Sequence, residues 1–221
     1  MKVRNLFVIA GLLTGSVLFT SCYQHNYYDT HPDPNNNNSG SNYQSSFDEE
    51  FNGTDLYSWS FTDAADSAYA SITGGSYQYV DYSMAKSSMT VVPTGINTSG
   101  NFAVRTSIKS NNIMGLIFGA SSTDNGYAFF IDSTGSYSLY KEGIGTVAST
   151  IVIPATIDTP LVAKKGWNQL EVDQTNGTWT GFINGTQVFT MAARSITGGN
   201  FGFKILPGTV GYADYLKVNN D

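Results

Sequence analysis

Histidine is almost missing from this chain. The only two, His25 and His31, lie in a polar stretch near the N-terminus, and everything after residue 31 carries none. That absence excludes His-based general acid–base catalysis, Ser-His-Asp triads and His-ligated zinc from the folded part. Cysteine is scarcer still: Cys22 stands alone, so no intrachain disulfide can form. The fold must rest on its apolar core, and about 175 residues are enough for one. Charge is sparse at 13% of residues, with no block of one sign. Eleven bases face seventeen acids; setting aside Lys2 and Arg4 of the leader leaves nine against seventeen, a net charge of about −8. Such a chain has no electrostatic attraction to nucleic acid or to anionic lipid. Long runs of helix formers are also missing after residue 21, where Gly, Ser, Thr, Asn and Tyr abound. That balance favours short strands and frequent turns.

The N-terminus reads as a processing signal. A basic start, "MKVR", precedes 14 apolar or small residues, 6–19. This is short for a bilayer span and suited to a signal h-region. The following "FTSC" resembles the lipoprotein box of bacterial envelope proteins, with the small Ser21 before Cys22 and Phe19 where Leu is commoner. The resemblance implies cleavage before Cys22, diacylglycerol on its thiol and acylation of the new amine, and hence anchoring at the bacterial cell envelope, at the periplasmic or surface face of the outer membrane. Several acyl chains hold stably where one would not. The alternative is an ordinary secretory signal with an unpaired Cys. Residues 1–21 are thus expected to be a signal peptide, and 22–46 a lipidated Cys with a flexible tether. The tether has no aliphatic residue and no periodicity. As a coil its roughly two dozen residues span about 25–30 Å.

From residue 47 to 221 the pattern predicts one all-β domain. Expected strands cover 76–82, 89–94, 101–110, 114–121, 126–132, 136–142, 148–154, 167–174, 178–183, 186–191, 200–206 and 213–219, each rich in β-branched or aromatic residues. Asn176-Gly177 and Asn184-Gly185 are two-residue hairpin signals, since a type I′ turn needs positive φ at both positions. "SITGG" occurs at 71–75 and at 195–199 without a longer repeat around it. Many antiparallel strands and no helical period point to a sandwich or barrel.

The order of pieces "NFAVRTSIKS", "GLIFGASSTDNGYAFFIDSTGSYSLYKEG" and "GWNQLEVDQTNGTWTGFINGTQVF" resembles the concanavalin A-like jelly roll, the antiparallel two-sheet sandwich of laminin G-type domains, legume-lectin-like modules and laminarinase-type hydrolases. "FDEEFNGTDLYSW" and "GYADYLKV" match its usual first and last strands. Laminarinase-type hydrolases carry E-x-D-x-x-E on a middle strand. The pair Glu171 and Asp173 falls later, in the W…NG meander, and the second Glu is absent. A retaining glycosidase needs a nucleophile and a separate acid/base carboxylate. Alternation accounts for the pair: Leu170 and Val172 point inward, so Glu171 and Asp173 point out. At the strand the resemblance implies for catalysis, "MGLIFGAS" has no carboxylate. A looser likeness to same-fold bacterial domains acting on 3-keto-disaccharides keeps Asn112 and Gly115 but lacks the Arg of N-x-G-x-x-x-R. No catalytic residue is therefore assigned.

Parity also yields a candidate ligand face. With Val104, Thr106 and Ile108, Leu116 and Phe118, Tyr127, Phe129 and Ile131, and Tyr137 and Leu139 inward, the outer face of one sheet is expected to show Arg105, Phe130, Asp132, Tyr140 and Glu142 together. Two rings among hydrogen-bonding charges suit a sugar, the rings stacking on C–H faces while polar groups bind hydroxyls. Asp132 and Glu142 are also a conceivable acid/base pair. No cofactor is required. A structural calcium between Asp48 and Asp214, at the first and last strands, is conceivable but lacks the six to eight oxygens calcium takes. "DSA" at Asp66 and "DST" at Asp132 resemble an O-glycosylation motif of Bacteroidetes-type secreted proteins. The expected partner is a polysaccharide or oligosaccharide, with the membrane reached only through the lipid. Three readings remain open: a non-catalytic carbohydrate-binding module, an envelope glycoside-processing hydrolase with an atypical site, and a structural or protein-interaction domain.

Overall fold

A computed structural model describes residues 23–24, 45–65, 67–83, 86–144 and 146–220. Cys22, both histidines, Asp66 and nearly all of the expected tether lie outside them. The described residues contain sixteen strands and no helix. Seven form one sheet in the order β1 (Tyr23–Gln24), β6 (Ser88–Pro93), β15 (Asn200–Ile205), β8 (Ile113–Ala120), β9 (Tyr127–Asp132), β10 (Ser136–Lys141) and β11 (Thr150–Ile157). The nine-stranded sheet runs β14 (Thr186–Ala192), β13 (Thr178–Ile183), β12 (Asn168–Thr175), β7 (Phe102–Ser110), β16 (Thr209–Asn220), β5 (Ser76–Asp81), β4 (Ala68–Thr73) and β3 (Phe61–Asp63), with β2 (Ser46–Glu49) paired to β16. Every pairing is antiparallel except the two-residue β1, which runs parallel to β6 inside the stretch expected to be unpaired tether.

The hairpin chemistry explains the meander. Asn176-Gly177 joins β12 to β13, and Asn184-Gly185 joins β13 to β14. All four residues have positive φ, between 50° and 79°, as the tight turn demands. The first "SITGG" does the same between β4 and β5, where Thr73 pairs with Ser76. The second makes no hairpin; its Thr197 instead hydrogen-bonds the Gly119 carbonyl.

One face of each sheet meets the other in an aromatic core. Phe51, Trp59, Tyr77 and Phe203 cluster with ring centroids 5.3–6.0 Å apart. Trp179 packs edge-on against Phe118 and Tyr127 at 5.1 and 4.6 Å. Fully burying such a side chain is worth about 1.5–3 kcal/mol. Both buried indoles find acceptors. Trp179 Nε1 donates to Gln174 Oε1 at 2.8 Å, and Trp59 Nε1 to Glu49 Oε2 at 3.3 Å. Burial raises the Glu49 pKa, partly opposed by the bonds from Phe51 N–H and Trp59.

Candidate functional site

Strand alternation gives the seven-stranded sheet a second, outward face, and much of it is apolar. Met89, Ile117, Ala120, Ala128, Phe130 and Leu206 form an apolar cluster distinct from the main core, with Val91, Ile113 and Tyr140 packed against it. Phe130 faces Gly115 in the β8–β9 register. A Cβ at Gly115 would lie 2.5 Å from Phe130 Cδ1, so the glycine is what lets the ring lie flat across the sheet. Tyr140 pairs with Ala128 on the neighbouring strand, one diagonal step from Phe130. The two rings meet edge to face, centroids 5.9 Å apart at 74°.

A cavity of about 90 Å³ opens beside these rings, lined also by Ile113, Asp132, Ser136, Ser138, Glu142, Ser149, Lys204 and Leu206. Glu142 and Lys204 form an ion pair in its wall: Nζ lies 2.5 Å from Oε2, with side chains 4% and 1% exposed for Lys and Glu. Ser149 Oγ donates to the same Oε2 at 2.7 Å. Asp132 is held differently, at the head of the β9–β10 turn. It accepts from Thr134 N–H at 2.7 Å, Thr134 Oγ1 at 2.6 Å, Ser136 N–H at 3.1 Å and Ser136 Oγ. Partial burial pushes its pKa up, but the Ser136 and Thr134 bonds outweigh it and hold the carboxyl below its ordinary value. Burial, helped by the Glu142 carboxylate, raises the Tyr140 phenol, which is therefore neutral at physiological pH and able to donate.

Four of the five expected residues thus come together: Phe130, Asp132, Tyr140 and Glu142. Arg105 does not. It lies on β7, in the other sheet, opposite Glu171 in register, and its guanidinium bonds the Glu171 carboxylate at 2.7 Å. That bond, against partial burial, holds the Arg105 pKa above its ordinary value. Parity correctly turned Arg105 outward, but chain order does not say which sheet a strand joins. The face is also less open than expected: Phe130, packed in the apolar cluster, is only 6% exposed, and Glu142 is buried against Lys204 and Ser149. Lys204 and Ser149 had no place in the sequence reading. Alternation in "NFGFKIL" does turn Lys204 away from Phe201, Phe203 and Ile205. Its partner Glu142 is 62 residues away, and only the insertion of β15 beside β8 brings them together.

The Glu171–Asp173 question closes on the same geometry. Leu170 and Val172 are fully buried, and Glu171 serves Arg105 on the outer side. Asn112 likewise has a structural partner, donating to the Pro207 carbonyl at 3.3 Å. β2 does pair with β16, but Lys217 stands opposite Asp48, with Nζ 3.5 Å from Oδ1, and also bonds Glu50. Asp214 is exposed at a bulge of β16. Lys217 thus serves as the counter-charge of Asp48, and the described residues hold no group of three or more His, Cys, Asp or Glu side chains that could hold a metal ion.

Two sheets of this order and register define a concanavalin A-like jelly-roll sandwich. Among solved structures the chain is similar to a β-glucanase of Bacillus licheniformis, at 14% identity and a TM-score of 0.53, over 80% of this chain and 99% of that one. It is similar also to a β-1,3-1,4-glucanase (lichenase) derived from a mouse hindgut metagenome, at 12% identity and a TM-score of 0.52, over 80% and 100%. At such identity the likeness is one of fold. No protein-family model matches the sequence, and no curated protein matches it.

Proposed function

We propose that this protein is a non-catalytic carbohydrate-binding module, held at the bacterial envelope by lipid on Cys22. The observation that carries the reading is Tyr140, half-buried at the mouth of a cavity whose wall alternates an aromatic ring with hydroxyls and ionised groups. Pockets that enclose a whole small molecule hold about 300–1,000 Å³. A cavity of about 90 Å³ admits only one substituent. The sugar ring therefore lies across the mouth on Tyr140, with one hydroxyl or hydroxymethyl group reaching Ser138, Ser149 or Lys204. That two sandwiches of the same fold are named as glucanases lends support to a glycan as ligand.

Two carboxylates line the cavity, which favours the hydrolase as the second reading. Their bonding argues for binding instead. A retaining or inverting glycosidase needs one protonated carboxyl as general acid. Asp132 is held below its ordinary pKa, and Glu142 is committed to an ammonium and a serine hydroxyl.

Tyr140→Ala should lower glycan affinity thirtyfold or more, since truncating a central binding aromatic costs about 2 kcal/mol. It should cost folding only about 1 kcal/mol, the worth of an edge-to-face pair. Affinity electrophoresis against a panel of neutral polysaccharides, with a denaturation curve for each variant, reads both. A folded variant retarded like wild type by the same polymer would move the site elsewhere. Release of reducing ends by the wild-type protein, lost in Asp132→Asn or Glu142→Gln, would replace the binding reading by the hydrolase.

The anchor has its own test. The basic start, the apolar run and Cys22 imply that Cys22→Ser leaves an uncleaved precursor or a soluble product. Fractionation of cells carrying that variant should show loss of the processed, membrane-held form. Unchanged processing and retention would end the lipoprotein reading.

A further inference from the structure

The outward face of the nine-stranded sheet carries a second cluster, remote in the fold from the first. Lys109, near the end of β7, faces away from the core residue Ile108, and Tyr212 of β16 is its register partner. Trp167 arrives from the turn before β12. The Lys109 ammonium lies 4.5 Å from the Trp167 ring centre and 4.8 Å from that of Tyr212. Beside Lys109 and Tyr212 is a cavity of about 360 Å³, lined by these two with Ser110, Asn111, Lys165 and Val210, and Trp167 stands outside that lining, against Lys109. This volume falls within the range of small-molecule sites. Among the described residues two ammonium groups line it, no carboxylate does, and neither lysine is ion-paired with an acid.

Both walls are locked in place. On one side Asn168, buried, bonds the Ala163 N–H and the carbonyls of Ala163 and Gly166, pinning the turn that presents Lys165 and Trp167. On the other, Val210 N–H donates to Asn111 Oδ1 at 2.7 Å, and Asn111 N–H to the Val210 carbonyl at 3.1 Å. Gln78 Nε2 steadies the Tyr212 hydroxyl at 3.2 Å. Trp167 nonetheless remains 41% exposed. A lysine clamped between rings merely to hold a turn down would leave neither an open indole nor a cavity with a second unpaired ammonium.

We propose that this is a second saccharide site, selective for a hexuronate residue. The free surface of Trp167 takes the C–H face of the pyranose, and Lys109 and Lys165 take its carboxylate. The chain is acidic as a whole, at −6, so its long-range field does not steer a polyanion. Attachment must come from these short-range contacts, and because they pair exposed charges it should weaken as salt rises.

The site stands apart from the Tyr140 cavity, and the test separates them. Native protein is run through gels containing polygalacturonate or its methyl-esterified, uncharged form. Wild type should be retarded by the first at least tenfold more than by the second. Lys165→Gln, at an exposed position that leaves the fold alone, and Lys109→Gln should each reduce retardation several-fold, and Trp167→Ala should abolish it, while Tyr140→Ala leaves it unchanged. Near-UV circular dichroism of the remaining tryptophans checks that Trp167→Ala keeps its core. Equal retardation by both gels, none by polygalacturonate, or undiminished retardation in the lysine variants would overturn the proposal. So would loss of retardation in Tyr140→Ala, which would place the acidic sugar at the other sheet.

Discussion

Lys204→Met should destabilise the domain by about 3 kcal/mol, the lower end of the roughly 3–5 kcal/mol that follows from orphaning one partner of a buried ion pair. Glu142 would be left 1% exposed with Ser149 Oγ as its remaining donor. The lower end is expected because the cavity of about 90 Å³ alongside has room for water, which would solvate part of the stranded charge. Against a total stability of about 5–15 kcal/mol this is a large loss, and in a domain of this size it corresponds to a fall in Tm of about 6–12 °C. The double variant Lys204→Met/Glu142→Leu should recover most of it, since an apolar replacement of a buried pair is often neutral or better, and the apolar Phe130 and Leu206 flank the site. Urea denaturation of the three proteins decides the matter. A single variant within about 1 kcal/mol of wild type would mean the pair is not buried as described. The double variant then serves function: if it is stable yet no longer binds glycan, the pair touches the ligand; if it binds normally, the pair only shapes the cavity.

The sequence made some of this site legible and hid the rest for a physical reason. Turn chemistry is local, so Asn176-Gly177 and Asn184-Gly185 named their hairpins, and the β12–β14 strands fell within one or two residues of expectation. Parity is local too. It turned Phe130, Tyr140, Asp132, Glu142 and Arg105 outward correctly, and it placed Leu170 and Val172 in the core. Sheet membership is not local. β7 sits between β12 and β16, while β8, only three residues further along the chain, sits in the other sheet between β15 and β9. Nothing in the residues 101–120 marks that crossing, and so Arg105 was assigned to the wrong face. The strands of 46–49, 61–63 and 68–73 are short or Ala- and Ser-rich, and the last two gave too little alternation to be seen. Burial on an outward face escaped for a related reason. An apolar residue at an outward position reads as a scattered surface ring, and only the coming together of Ile117, Ala128, Leu206 and Phe130 from two strands and an adjoining turn makes a second core.

Phe130→Ala tests that second core. The sequence alone would have Phe130 and Tyr140 behave alike, both rings free and both dispensable for folding. The structure separates them: Tyr140 is half-buried at the cavity mouth, whereas Phe130 is covered and laid over Gly115. Removing it should cost about 3 kcal/mol, the low end for Phe→Ala in a core, because this cluster is smaller than the main one. Gly115 supplies the control. Its backbone has no positive φ, so alanine is conformationally acceptable there, but the new Cβ would meet Phe130 Cδ1 at 2.5 Å and the Phe129 carbonyl at 3.0 Å. In wild type Gly115→Ala should therefore destabilise by about 1–3 kcal/mol through overpacking. In the Phe130→Ala background the ring is gone and only the carbonyl contact remains, so the same methyl should cost much less and fill part of the void. The two changes should be coupled by about 1 kcal/mol or more, as expected for residues in direct contact. Chemical denaturation of the four proteins in the cycle measures the coupling. Strict additivity would show that the ring does not lie on Gly115, and with that the covered face, and the cavity built against it, would have to be redrawn.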